Sequence, residues 1–342
     1  MTTHPIHFVG SIPLADSDAV FGTLAVSVGE RAKRWPDGET GERAYWIRWQ
    51  KQTFQKHQDF ELKSASTSLQ GYKDALERRL YNIRDGVDPA EIRIETMGYA
   101  SEAISSYSAF AELKAVGVIP ASVRFLVSIP SAVALTVGFF DMPERAGVEP
   151  LIEAALAREV ETIAAVIPYD QLAIQWDVCH EVVAADSGMS LHYEDVMNAS
   201  IKRISRLLSY VPAEIEAGIH LCYGDPGHMH IIEPADLSTC VSYANGIFAA
   251  SRRRVNFIHM PVPRGRDDAA YFAPLSALSL PTGSELYLGL AHFTDGTEGT
   301  ATRLAAASGH VAAFGIATEC GFGRRDPKMI IPLLDIHAAV AD

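Results

Sequence analysis

An α/β chain folded as a (β/α)8 TIM barrel, with a long insertion between its first and second strands, is what this sequence predicts, and three observations carry the prediction. Short apolar, β-branched runs recur along its 342 residues, and most are separated by stretches with helical apolar spacing. The runs are nearly continuous in their apolar character, as strands covered on both faces are, and strands alternating with helices imply a parallel sheet wrapped by those helices. Polar residues also collect toward the C-terminal ends of the runs, where such barrels gather a site from several strands.

The elements follow in order. Ile6–Pro13 opens as the first strand, and Ile92–Tyr99 reads as the second. Arg124–Ser131, Leu172–Cys179, Gly218–Asp225, Val255–Val262, Glu285–Phe293 and Ala312–Cys320 complete eight. Helical spacing marks Val148–Val166, Val196–Tyr210 and Leu237–Ser251. The sixth to eighth strands follow one another closely, so at least one helix between them is short. About eighty residues separate the first two strands, with a helix expected over Leu69–Tyr81. An insertion after a barrel strand emerges at the C-terminal rim, so residues 14–91 are expected to form a lid or pocket wall on a single domain spanning 1–342.

Composition narrows the partners. Hydrophobic residues make up 48% and charged residues 21%, the balance of a chain with a full core. The net charge of −13 argues against nucleic acid and anionic membranes, which need a basic surface, and favours a small molecule. Oligomeric state is not encoded in any of these features. Four cysteines are too few for a disulfide framework, and the start, Met-Thr-Thr-His-Pro, has no basic region followed by an apolar core. A reducing, cytoplasmic location is expected, with Cys179 and Cys240 as buried small hydrophobes.

The remaining two cysteines have a different task. Residues two apart on a strand share a face, so His220 and Cys222 can grip one ion between them, and Cys320 at the end of the last strand supplies a third soft ligand. Two thiolates and an imidazole suit zinc better than magnesium or calcium. Ser11, Ser128, Asp177, His259 and His292 also stand toward strand ends. His292 and Asp295 are expected to line the pocket or to serve as structural hydrogen-bonding groups. In the insertion, Glu39, Arg43 and Trp46 read as lid residues contacting substrate, or, for Glu39 and Arg43, as an ion pair at a helix start. No glycine-rich nucleotide motif follows any strand.

The His-x-Cys of one strand and the Cys320-Gly321 of the last resemble the zinc site of the cobalamin-independent methionine synthase superfamily, in its C-terminal catalytic barrel and related stand-alone proteins. Val9-Gly10-Ser11-Ile12-Pro13 is similar to the Gly-Ser-Phe-Pro that opens that barrel, and Ile174-Gln175-Trp176-Asp177 to its Gln-Ile-Asp strand. The resemblance implies zinc at His220, Cys222 and Cys320, with His259 where the family places its fourth ligand, a glutamate. It implies that Asp177 holds a substrate amino group, and that Ser11 lies at the substrate site. After Asp177 the family has Glu-Pro and this chain has Val178-Cys179-His180-Glu181, which points to a divergent substrate.

The chemistry follows from the ligands. A free thiol has a pKa near ~8.5 and is mostly protonated at neutral pH, whereas zinc deprotonates it and two cysteinate ligands keep its sulfur nucleophilic. Transfer of a methyl or other alkyl group from a small donor to a thiol is therefore expected, with Asp177 and His292 as acid–base or binding groups. A second expectation keeps the metal but activates water or a carbonyl, as a lyase or hydrolase, with His180, Glu181, His228, His230 and His292 as further acid–base candidates. A third is a barrel that binds zinc or a ligand without turnover.

Overall fold

Residues 4–66 and 78–341 are described by the computed structural model of the chain. In order, the strands are β1 (Arg34–Pro36), β2 (Phe60–Ser66), β3 (Arg78–Ile83), β4 (Arg124–Pro130), β5 (Leu172–Val178), β6 (Glu216–Leu221), β7 (Phe257–Pro261), β8 (Glu285–Gly289) and β9 (Gly315–Ile316). The helices are α1 (Ser17–Ser27), α2 (Lys51–Lys56), α3 (Tyr99–Ala115), α4 (Ala132–Phe139), α5 (Met142–Val166), α6 (His180–Ser187), α7 (Val196–Ser209), α8 (Ser238–Ala250), α9 (Ala269–Phe272), α10 (Gly296–Ser308) and α11 (Ile330–Ala341).

Seven strands pair in parallel in the order β1–β4–β5–β6–β7–β8–β9, and β2 and β3 form a separate antiparallel hairpin. Residues 6–11 close the ring. Ile6 bridges both Ala32 and Ile316, and Ser11 bridges Gly38, so this segment lies between β9 and β1 as the first of eight staves. The amide of His7 donates to the Ile316 carbonyl at 2.9 Å, and that of Ile12 to the Gly38 carbonyl at 2.7 Å. The TIM barrel is thus present. The connection between β7 and β8 holds only the four-residue α9 and a 3-10 turn, as the close strand spacing requires. No helix among the described residues is long and apolar enough to cross a membrane.

The second stave differs from the expected one. It is Arg34–Pro36, paired with β4, whereas Ile92–Tyr99 forms no strand and leads into α3. The long excursion therefore follows the second stave rather than the first, and α1 is an ordinary barrel helix packed against α3 and α11. The physical reason lies in where the backbone groups of residues 92–100 find partners. Ile92, Ile94 and Met97 are buried by packing. The amides of Met97, Gly98 and Ala100 donate to the carboxylate of Glu159 on α5 at 2.6, 3.1 and 2.6 Å, which satisfies the open first turn of α3 without a sheet. Of the helix expected over Leu69–Tyr81, residues 69–77 lie outside the described residues, and the rest is the start of β3.

The barrel floor is held by charge. The Arg34 guanidinium lies over the Phe257 ring, 4.2 Å from its centroid, and donates to Glu216 at 2.6 Å and Glu285 at 2.9 Å. Gly218 makes room above it, since a Cβ there would sit 2.1 Å from the Phe257 ring. Gly218, His220 and Cys222 alternate with outward-facing Ile219 and Leu221, which places His220 and Cys222 inside the barrel, toward the C-terminal rim.

Candidate metal centre

Asp177, His220 and His259 stand side by side on β5, β6 and β7, in register across three strands. Cys222 follows β6 directly and keeps its pairing through a 2.9 Å bond from its amide to the Val178 carbonyl. Cys320 arrives on the turn after β9. That turn is seated on Ser11, whose carbonyl accepts from the Phe322 amide at 2.7 Å and whose hydroxyl accepts from the Gly323 amide at 3.1 Å. A Cβ at Gly321 would meet the Ser11 hydroxyl at 2.3 Å, so only glycine lets the loop after Cys320 lie this close.

Ligand atoms of His220, Cys222 and Cys320 all lie within 4.8 Å of one another, the one such group among the described residues. The two sulfurs are 3.9 Å apart. The Gly224 amide donates to the Cys222 sulfur at 3.3 Å, and Arg324 reaches the Cys320 sulfur at 3.9 Å. Contact with Cys179 and burial push the Cys222 thiol well up, and contact with Cys222 and burial do the same to Cys320. Two buried sulfurs in contact cannot both carry charge without a positive ion to share.

His259 is engaged elsewhere. Its Nε2 lies 3.0 Å from the Thr318 carbonyl, and its Nδ1 lies 2.7 Å from Nδ1 of His220. A carbonyl only accepts, so Nε2 of His259 carries the proton. Burial lowers the pKa of His259 to about 3, so the ring is neutral and its Nδ1 accepts. His220 must then donate through Nδ1, which leaves a lone pair on its Nε2. That nitrogen is buried without a partner. A histidine held in this tautomer by a neighbour, with its other nitrogen unsatisfied beside two thiols, fits a soft divalent metal such as zinc.

The centre opens into a cavity of about 350 Å³ that is also lined by Ser11, Glu39, Trp46 and Asp177. Asp177 accepts from the Gln175 side chain at 2.9 Å, and Gln175 is itself fixed by the Val9 carbonyl at 2.6 Å and by His7 at 2.8 Å. Burial lifts the Asp177 pKa to about 7 even though Gln175 and the Trp46 indole bond to it. Burial, and then the charge of Asp177, hold Glu39 well above the usual carboxylate range. Glu39 and Trp46 both have positive φ, 44° and 55°, which is backbone strain at two residues facing the cavity.

Other expected site residues lie apart from it. Arg43 pairs with Asp37 at 2.9 Å and Glu102 at 3.3 Å rather than with Glu39, and is not in the cavity wall. His292 bonds to the Val262 carbonyl at 2.9 Å and to Glu319 at 3.1 Å, and lines a smaller cavity beside His228 and His230. Asp295 is bound by both terminal nitrogens of Arg303, at 2.6 and 2.8 Å. Residues that strand-end logic did not single out do reach the cavity: Tyr45, Arg48, Arg78 and Met189. Aromatic and basic residues inside an insertion were the available signal.

Glu181, next to His180 at the start of α6, is fully buried. Burial raises its pKa from 4.5 to about 7. The folded state then binds a proton that the unfolded state has released, so stability falls as pH rises through this window and the loss is complete above it. Glu181→Gln removes the ionisation. Its stability advantage over the parent, read from urea midpoints, is expected to grow by about 2 kcal/mol between about pH 5 and about pH 8. A pH-independent difference would refute the assignment.

No protein-family profile matches the sequence, and no curated protein matches it. Solved structures do share its fold. A B12-independent methionine synthase from Shewanella sp. W3-18-1, in complex with selenomethionine, superposes with a TM-score of 0.57 at 12% identity, covering 99% of this chain and 98% of that one. A methyltransferase from Methanosarcina mazei gives a TM-score of 0.56 at 9% identity, covering 99% and 94%. At such identities the likeness is one of barrel architecture over the whole chain.

Proposed function

We propose that this protein is a zinc-dependent methyl- or alkyltransferase of the cobalamin-independent methionine synthase superfamily, acting on a small-molecule thiol. One observation carries the reading: three donor atoms from β6, the residue after it and the β9 turn converge within 4.8 Å at the wall of a ligand-sized cavity. The shared barrel supports it, as does the Shewanella protein's binding of selenomethionine, a methylated chalcogen of the product class expected here.

Zinc bound at His220, Cys222 and Cys320 would supply Lewis acidity that holds a thiol ionised near neutral pH. The chain's own residues do the rest. The Gly224 amide and Arg324 stabilise charge on the two cysteine sulfurs. Asp177 and Glu39 both line the cavity and together would accept a substrate ammonium group, which would offset the burial that raises both carboxyls and the charge of Asp177 that adds to it at Glu39. Trp46 fixes Asp177 through its indole N–H and walls the cavity against water, which would otherwise compete for the alkyl group.

His259 acts in this reading through His220, as a partner that sets its tautomer. Loss of such an outer partner costs roughly 10–100-fold in metal affinity. His259→Ala should therefore retain a zinc site weakened by about that factor, measured by competition with a chelating dye. The direct test of the function is zinc X-ray absorption with and without an added thiol. A new zinc–sulfur scatterer on thiol addition supports thiol activation; an unchanged shell would refute it and favour a water- or carbonyl-activating site.

A further inference from the structure

The two turns that carry the cysteine ligands are joined by a further pair of residues. Asp225 lies shortly after Cys222 and Arg324 shortly after Cys320, and Nη2 of Arg324 donates to Oδ2 of Asp225 at 2.6 Å. The same nitrogen lies 3.9 Å from the Cys320 sulfur. A terminal guanidinium nitrogen carries two hydrogens, so it can serve the carboxylate and the sulfur together. The Asp225 side chain is 1% exposed and that of Arg324 11%, so water competes little for either contact. Both residues line the cavity beside the two sulfurs.

Each partner is held from its own side. Gly224 takes φ 73°, a left-handed turn that carries the chain from Cys222 to Asp225, and the Ile231 amide closes the loop behind it on the Tyr223 carbonyl at 2.8 Å. Nδ1 of His228 stands 3.3 Å from the same Asp225 oxygen. On the other turn, the Arg325 side chain is tied to Glu319 at 3.2 Å and its amide to the Phe322 carbonyl at 2.8 Å, which fixes the backbone that presents Arg324.

Charge balance gives the pair a task at the metal as well as in the scaffold. A guanidinium with no counter-charge would repel a divalent ion beside it, whereas one paired with a carboxylate adds no net charge and still presents an oriented N–H. A hydrogen bond to a ligating thiolate draws electron density away from the metal–sulfur bond. The ion then acts more strongly on an incoming thiol.

We propose that Arg324 is a positioning residue of the metal centre: held by Asp225, it fastens the Cys320 turn to the Cys222 turn and donates to the Cys320 sulfur in the metal-bound state. This rests on the reading of His220, Cys222 and Cys320 as metal ligands.

The test replaces zinc with cobalt(II) in the purified full-length protein, because cobalt held by thiolates shows a sulfur-to-metal charge-transfer band in the near ultraviolet. A sulfur that loses a hydrogen bond gives up an electron more readily, so Arg324→Gln should move this band to longer wavelength than in the parent. Metal affinity, measured by competition with a chelating dye, should fall about 10–100-fold, the usual cost of losing an outer partner. Asp225→Asn should shift band and affinity in the same directions by less, and Arg324→Lys, which keeps a charged donor, should recover part of both. Circular dichroism controls for folding, and Asp225→Asn carries the test if Arg324→Gln does not fold. A band unmoved in these variants would overturn the proposal even where affinity falls, since loosened turns weaken binding without changing what the sulfur touches. A parent that shows no such band at saturating cobalt would sink the ligand assignment itself, a result distinct from a band that ignores Arg324.

Discussion

Cys320→Ser is expected to abolish stoichiometric zinc and transfer activity together. The sulfur of Cys320 lies 3.9 Å from that of Cys222, and the two are the only anionic donors in the His220 group. A serine hydroxyl at this position stays protonated and is a poor ligand for zinc, so the site falls from two anionic donors to Cys222 alone beside the neutral His220. Disturbing an outer partner already lowers affinity by roughly 10–100-fold, which sets the floor for losing a direct ligand. Activity should fall by at least about 100-fold. Metal analysis after dialysis, with circular dichroism as the folding control, measures it. Cys240→Ser is the comparison, since Cys240 is a buried free thiol that sits beside Tyr223, outside the centre. A Cys320→Ser protein with one zinc per chain and normal turnover would falsify the metal assignment.

Arg34→Ala should produce the largest loss of stability, about 3 kcal/mol, the lower end of what removing one partner from a buried ion pair costs. The Arg34 side chain is 3% exposed and binds two glutamates from β6 and β8, the staves on either side of β7. The deficit is held to the lower end because Glu216 keeps Arg124 at 3.2 Å and Glu285 keeps Lys33. Burial pushes the Glu285 carboxyl up, but Arg34 and Lys33 outweigh it and hold the group below the usual range. A carboxylate with a lowered folded pKa contributes stability above its unfolded pKa and loses it as pH falls, so the gap between parent and variant should narrow in acid. Urea unfolding at neutral and acidic pH measures both. A variant as stable as the parent at neutral pH would show that the floor pairs are dispensable.

The staves from β4 to β9 were legible because each is a nearly continuous apolar run, and burial on both faces leaves that mark on a sequence. The second stave was not. Arg34-Trp35-Pro36 is three residues long, begins with a charge and ends with a residue lacking a backbone N–H, whereas Ile92 and Ile94 alternate as a strand would. What cancels that alternation is Glu159, some sixty residues away, whose carboxylate takes the amides that a sheet would have paired. Similar reasons separate the site residues. Asp177, His220 and Cys222 fall where strand period and register put them. His292 and Asp295 also stand at a strand end, but their bonds to Glu319 and Arg303 turn them away from the cavity, and strand position carries no information about such partners.

The sequence by itself determined the barrel, the rim on which its polar residues meet, and the soft donors His220, Cys222 and Cys320, because these depend on local periodicity and donor chemistry. Only the tertiary structure decided which stave follows the first, which nitrogen of His220 is left open, and that Glu39 and Trp46 from the excursion line the same cavity as Asp177. Those outcomes depend on contacts between residues distant in the chain, such as Thr318 with His259 and Glu159 with the start of α3, and no local pattern records them.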